Sequence, residues 1–267
     1  MLRTLRPLVG VGLFVVVATL PTVACDPSSS TRTDTPFDSA TVTGRLTARV
    51  APPTGTVQKG LTIQTLTAGG RPFGLFVPSS YDPSTAWPVT VLLHGEGGSG
   101  EGMVLDFQSY AEAAGVVLLA PNSRQTTWDL LVNDVFGADR SYIDSMLKWA
   151  FAHIAVDSTR VSISGFSYGA TYALWLGLKN GDLFSRIAAF TPCSTVPHTR
   201  TGMPTIFLSH GLDDKVALID SCSRLTVPTL QDAGYSVQFV EYHATDGNGH
   251  YVTPEVLTQG MAFLAQR

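Results

Sequence analysis

The most constraining feature of the sequence is the segment Gly-Phe-Ser-Tyr-Gly at residues 165–169 and its setting. A strand-like run at 160–164 precedes it, and a helix-like run of small and apolar residues follows from Ala170. A G-x-S-x-G segment between a strand and a helix places its serine on a sharp turn, where the hydroxyl stands clear of the backbone and beside a base. The flanking glycines allow this crowded turn to close. The pattern predicts that Ser167 is a nucleophile; the alternative is an ordinary turn in which Ser167 caps the following helix.

Length and charge limit the other possibilities. A chain of 267 residues is long enough for one large α/β domain. The sequence is 44% hydrophobic and 14% charged, with a formal net charge of -4. Because no basic field is present to hold phosphates, we expect no nucleic-acid partner.

Residues 1–24 have the features of a secretion signal. Two arginines precede an apolar run at 8–20, which is too short to span a bilayer and ends in small residues. Cys25 lies where a bacterial lipoprotein signal places its acylated cysteine, although Thr22 stands where leucine is usual. The sequence therefore predicts an exported envelope lipoprotein whose contact with the membrane is its lipid anchor. The alternative is cleavage after Ala24 and secretion with a free thiol.

The rest of the chain divides by composition. Residues 25–55 are rich in Ser, Thr and Pro, with few large apolar groups, and are predicted to form a flexible tether. Residues 56–267 are predicted to form the folded domain. In an oxidising compartment we expect Cys193 and Cys222 to form a disulfide, the alternative being two buried free cysteines.

Strand-like and helix-like runs alternate from residue 60 onward, which predicts a mostly parallel sheet with helices on both faces. Segments 61–66 and 73–77 are predicted to open it as an antiparallel pair, because only a short connection joins them. Further strands are predicted at 89–93, 116–120, 187–191, 204–209 and 236–242, and helices at 143–154, 216–233 and 253–265. The connection 191–204 is too short for a large helical lid, so we expect an open site.

Two loops after the serine offer an acid and a base. Segment 210–216, His-Gly-Leu-Asp-Asp-Lys-Val, resembles the H-G-x-x-D segment of α/β-hydrolase carboxylesterases. That match selects Asp214 over Asp213, which is expected to cap the following helix. His250, in a glycine-rich loop after the last strand, is the predicted base. His243, at the end of that strand, is interpreted as a polar edge residue.

Segment 92–100, Leu-Leu-His-Gly-Glu-Gly-Gly-Ser-Gly, resembles the oxyanion loop of the same superfamily. The resemblance implies that the backbone N–H groups of Glu96 and Tyr168 stabilise the negative charge of a tetrahedral intermediate. The carboxylate of Glu96 must then point away or be paired. A phosphate-binding loop is the alternative, but no Gly-Lys-Ser/Thr ending follows these glycines.

Residues from about 60 to 267 thus resemble the α/β-hydrolase superfamily, in its phospholipase/carboxylesterase or polyhydroxybutyrate-depolymerase-like esterase branch. The resemblance implies a carboxylic-ester hydrolase in which Ser167 attacks, His250 moves the proton and Asp214 orients it, through an acyl-enzyme and without a metal or organic cofactor. Trp128, in the loop at 122–129, either lines the substrate crevice or packs that loop, and Phe166 is expected to face the core. A serine peptidase of the same fold and a non-catalytic envelope binding protein remain open alternatives.

Overall fold

The computed structural model describes residues 43–193, 195–244 and 247–266. The predicted secretion signal at 1–24 and Cys25 lie outside these residues. None of the described helices is long and apolar enough to cross a membrane.

A central sheet organises the domain. Its strands in chain order are β1 Gly60–Thr65, β2 Pro72–Val77, β3 Trp87–Leu93, β4 Val117–Pro121, β5 Val156–Phe166, β6 Arg186–Phe190, β7 Thr205–Gly211 and β8 Val237–Tyr242. They lie in the order β1-β2-β4-β3-β5-β6-β7-β8. Strand β2 pairs antiparallel with β1 and β4, and every other pairing is parallel. The predicted mostly parallel sheet with an antiparallel opening pair is confirmed.

Helices cover both faces of the sheet, as predicted. They are α1 Gly100–Ala114, α2 Asp129–Asn133, α3 Ala138–His153, α4 Tyr168–Lys179, α5 Ser223–Asp232 and α6 Pro254–Ala265. Helices α1 and α6 share one apolar core with the sheet, and α3, α4 and α5 share the other. The sequence analysis did not predict α1, although Ser99 caps it by accepting a hydrogen bond from the N–H of Gly102.

The central strands read as continuous apolar runs because both of their faces are covered. In β3, Val91 contributes to the core beneath α3 and α4, whereas the adjacent Leu92 contributes to the core beneath α1 and α6. Leu119 and Leu118 of β4 alternate in the same way. This burial fixes the register of the strands, and so the edge at which their carboxyl ends meet.

The predicted boundary between tether and domain at residue 56 is wrong. Leu46 and Ala48 are only 2% and 1% exposed and belong to the core. The Asp144 carboxylate on α3 accepts hydrogen bonds from the backbone N–H groups of Thr47 and Ala48, at 2.6 and 2.8 Å. The Ser/Thr/Pro-rich composition did not indicate that residues 46–48 are folded. They are held by backbone hydrogen bonds, which composition does not reveal. The folded domain therefore begins before residue 56.

Candidate active site

Ser167 occupies the turn between β5 and α4, with φ of 55° and ψ of -123°. A positive φ is uncommon for a residue with a side chain, and strained backbone of this kind is often found at functional sites. The neighbouring glycines are required by space: a Cβ on Gly165 would overlap the backbone of Gly169, and a Cβ on Gly169 would overlap that of Leu93. The turn therefore lifts the serine hydroxyl above the carboxyl end of the central strands.

Three side chains from separate loops form one hydrogen-bonded chain. The His250 imidazole lies with Nε2 2.9 Å from Ser167 Oγ and Nδ1 2.7 Å from Asp214 Oδ2. Asp214 Oδ1 in turn accepts hydrogen bonds from the N–H groups of Val216 and Ala217, at 2.8 and 2.9 Å. The Asp214 side chain is fully buried, and that of His250 is 12% exposed. With Nδ1–H donating to the carboxylate, Nε2 is left to accept the serine proton.

A second histidine and aspartate lie beside these residues but do not reach Ser167. His243 Nδ1 is 2.8 Å from Asp213 Oδ2, and the two side chains are 72% and 45% exposed. Asp213 contacts this surface histidine and does not cap the following helix as expected. The structure thus separates two adjacent aspartates into a buried partner of His250 and a surface partner of His243.

His210, at the end of β7, supports the turn that carries Asp214. Its ring is buried, with Nδ1 2.6 Å from Ser223 Oγ, Nε2 2.7 Å from the Ala217 carbonyl oxygen, and Nε2 3.5 Å from Asp214 Oδ2. Burial lowers the pKa of His210 below its ordinary value of 6.5. In the sequence, this histidine belongs to the H-G-x-x-D motif, and no separate role was predicted for it.

A disulfide joins Cys193 to Cys222 across 29 residues. The Cys193 N–H donates to Thr171 Oγ1 at 3.1 Å, and Thr171 lies in the first turn of the helix that follows Ser167. Cys222 directly precedes Ser223, the partner of His210. The bridge therefore connects the start of α4 to the elements that hold the Asp214 turn.

The loop after β3 lies directly beside Ser167. A Cβ on Gly95 would lie 3.4 Å from Ser167 Cβ. The Gly97 N–H donates to the Thr126 carbonyl oxygen at 2.7 Å, and the Ser123 N–H donates to His94 Nε2 at 3.0 Å. Burial lowers the pKa of His94, which suits the neutral ring that this hydrogen bond requires. The loop is thus anchored away from its tip.

Two free backbone donors lie near Ser167, one at the tip of that loop and one at the start of α4. Within the part of the chain that the structure describes, the backbone N–H groups of Glu96 and Tyr168 have no hydrogen-bond acceptor. The Glu96 side chain is exposed at the rim. This arrangement is suited to an oxyanion, because two fixed N–H dipoles are available next to the serine.

The structure decides between the two alternatives for Trp128 and refines the expectation for Phe166. Trp128 does not line the crevice: it is fully buried, its indole N–H donates to the His94 carbonyl oxygen at 2.9 Å, and its ring packs on those of His94 and Tyr172. A buried indole must satisfy its N–H, and this bond turns Trp128 inward. Phe166 is half-buried: it packs against the core beneath α1 and α6 as expected, and its ring centroid also lies 5.1 Å from that of His250.

A groove lies along α1 and is lined on one side by Phe166, the residue before Ser167. It consists of two adjoining cavities of about 220 and 250 Å³, which share Met103, Asp106 and Phe166. Two larger grooves, of about 570 and 630 Å³, lie between α1 and α6 and beside α5, and neither contains a residue of the serine site. Among the described residues, no cluster of three or more His, Cys, Asp or Glu side chains is arranged to hold a metal ion.

The family model described as "Putative esterase" matches residues 67–227. The chain belongs to this esterase family. The "Probable feruloyl esterase C" of Aspergillus terreus is 25% identical over 199 residues, covering 71% of this chain and 72% of its own length. The protein of the same name from Aspergillus niger is 22% identical over 189 residues, covering 67% and 68%.

Solved structures agree on the architecture. The esterase PE8 superposes with a TM-score of 0.58 at 21% identity, covering 77% of this chain and 98% of its own. S-formylglutathione hydrolase (FrmB) from Staphylococcus aureus superposes with a TM-score of 0.61 at 12% identity, covering 79% and 100%. The predicted α/β-hydrolase fold is confirmed, and the family assignment identifies the chain as an esterase.

Proposed function

We propose that this esterase cleaves carboxylic esters through a catalytic triad of Ser167, His250 and Asp214. The observation that carries the proposal is the continuous chain from Asp214 Oδ2 through His250 to Ser167 Oγ, with distances of 2.7 and 2.9 Å. A weak nucleophile needs a base within hydrogen-bond reach and a third group to orient that base. These three residues meet both needs.

The reaction follows from the positions of the donors and acceptors. Ser167 Oγ attacks the ester carbonyl carbon while its proton moves to His250 Nε2, and the carbonyl oxygen becomes an oxyanion facing the N–H groups of Glu96 and Tyr168. Collapse breaks the bond to the alcohol oxygen, which takes the proton from His250. Water then attacks the acyl-enzyme by the same route, releasing the carboxylic acid and restoring Ser167. One such N–H donor contributes about 3 kcal/mol to the stabilisation of the transition state.

Screening the protein against a panel of esters tests which ester it hydrolyses fastest. Because the relatives from Aspergillus bear the name feruloyl esterase, esters of phenolic acids are the first candidates. Short-chain, long-chain, acetyl-xylan and hydroxyalkanoate esters complete the panel. Aminoacyl amides assayed in parallel test the peptidase alternative, which predicts faster turnover of the amides than of the esters.

Covalent labelling tests the nucleophile directly. A fluorophosphonate probe should label the wild-type protein in a 1:1 ratio and fail to label Ser167→Ala. Ser141→Ala, at an exposed position on α3, is the matched control and should label like wild type. An unlabelled wild-type protein would support a non-catalytic binding role and contradict the proposal.

We propose in addition that the protein is exported and anchored by a lipid on Cys25, with residues 1–24 removed. The disulfide between Cys193 and Cys222 supports export, because such bonds persist in oxidising compartments. Cys25→Ser should move the protein from the membrane fraction to the soluble fraction and abolish incorporation of labelled fatty acid. Membrane association of this variant equal to that of wild type would contradict the anchor.

A further inference from the structure

The groove along α1 carries a feature that the hydrolytic mechanism does not use. The part nearest α6 is lined by apolar and aromatic side chains, among them Met103, Phe107, Tyr110, Phe166 and Tyr251, and by a single charged residue, Asp106. The adjoining part, beside the oxyanion loop, contains Asp106 again together with Glu96. Asp106 thus stands where the two parts meet.

The groove adjoins the reacting centre through residues next to the triad in the chain. Phe166 precedes Ser167 in the chain, and its ring packs on that of His250. Gly95 and Glu96 line the groove on the side of the oxyanion loop, and Tyr251 follows His250 at the other end. Any ester whose carbonyl reaches Ser167 therefore has this groove beside it for one of its two substituents.

The chemistry of the walls specifies that substituent. The aromatic side chains in the lining favour a flat ring, because offset and edge-to-face contacts are favourable. Asp106 is exposed and has no hydrogen-bond or ion-pair partner among the described residues. An ionised carboxylate only accepts hydrogen bonds, so it favours a donor on that ring. Together with Glu96 it also repels an anion.

Building on the esterase function proposed above, we propose that the groove along α1 binds a hydroxyaryl group of the ester, with Asp106 accepting the hydrogen bond of the ring hydroxyl. A hydrogen bond to a charged acceptor is stronger than a neutral one, and an ester that lacks the hydroxyl leaves the carboxylate without its partner. Asp106 is therefore a specificity-determining residue, which selects hydroxyaryl esters over their methoxy and carboxy analogues.

The test compares methyl 4-hydroxycinnamate with methyl 4-methoxycinnamate and methyl 4-carboxycinnamate. All rates are normalised to sites titrated with the fluorophosphonate probe. Wild type should show a kcat/KM about tenfold higher for the hydroxy ester than for the methoxy ester. In Asp106→Leu this ratio should fall to about one, since the acceptor is gone. Asp106→Asn retains a neutral acceptor, so it should keep part of the ratio and accept the carboxy ester better than wild type does.

Glu101→Gln is the matched control, because it removes one carboxylate from the same helix outside the groove lining. It should leave the ratio at the wild-type value. A wild-type ratio that survives in Asp106→Leu overturns the inference, as does a wild-type protein that hydrolyses p-nitrophenyl acetate but none of the cinnamates. A protein that is not labelled by the probe and hydrolyses no ester contradicts the proposed function itself, and the inference falls with it.

Discussion

The two walls of the serine crevice are built on different principles. The loop wall, formed by the turns carrying Asp214 and His250, keeps its polar groups buried and bonded: the Asp214 side chain is fully buried and its two oxygens accept bonds from three donors. The helix wall, formed by α1, exposes a lone carboxylate, Asp106, among apolar side chains. Buried and satisfied groups fix geometry, whereas an exposed and unpaired group is free to interact with a ligand. The loop wall is suited to carrying out the chemistry and the helix wall to selecting the substrate.

The largest expected effect is on the loop wall, at the base. His250→Ala should lower kcat by about 10⁶, because the members of a triad act as one unit. His243→Ala, which removes the neighbouring histidine with its own aspartate, is the control and should change kcat little. The measurement is the turnover of p-nitrophenyl acetate and of methyl 4-hydroxycinnamate, which should fall by the same factor. Normal turnover in His250→Ala would rule out this base.

The acid should give the next largest effect. Asp214→Asn should lower kcat by about 10⁴, since an amide cannot hold the imidazole in the required tautomer or stabilise its charged form. Asp213→Asn breaks only a surface pair and should have a small effect. Steady-state kinetics of the two variants decides between adjacent residues. A larger loss in Asp213→Asn would reassign the acid.

The third largest effect is expected from the disulfide on the loop wall. Its loss should lower both the melting temperature and the turnover. A loop closed across 29 residues is stabilised by about 3 to 4 kcal/mol on the chain-entropy model, so the double variant Cys193→Ser, Cys222→Ser should melt roughly 5 to 15 °C lower. Its turnover should fall as well, because the bridge braces the Asp214 turn. Scanning calorimetry and ester kinetics measure the two effects. Quantitative thiol labelling of both cysteines in denatured, unreduced wild-type protein would show that the bridge does not form.

The smallest expected effect is on the pH dependence of the free energy of unfolding, to which His210 contributes. Because burial depresses its pKa in the folded state, the unfolded state binds the proton more readily as the pH falls below about 6.5. The stability contributed by the neutral ring is therefore complete above that pH and declines below it. Urea unfolding between pH 7.5 and 5 should give a shallower pH dependence for His210→Gln, by at most about 1.4 kcal/mol per pH unit. An unchanged slope would show that His210 titrates normally.

Helix α1 was not predicted from the sequence, and the structure shows why. Helix α1 escaped prediction because Gly100 and Gly102 disguise its start, and glycine is a poor helix former. A cap at Ser99 and buried residues at Met103, Val104, Phe107 and Ala111 were the available signal. Gly100 is needed there because a Cβ would overlap the backbone of Ala120. The tertiary fit between helix and sheet outweighed local propensity, and the groove residues on α1 were missed with the helix.

The sequence by itself determined the strand-to-helix turn at Ser167, the parallel sheet and the choice of Asp214 and His250 as the residues to examine. Each depends on a local pattern or on the rule that parallel strands end at one edge. Only the tertiary structure decided which way side chains point: Trp128 inward to satisfy its indole, Phe166 toward His250, and Asp106 into the groove. It also decided that residues 46 and 48 belong to the core. Those outcomes depend on contacts between segments far apart in the chain, which no local pattern records.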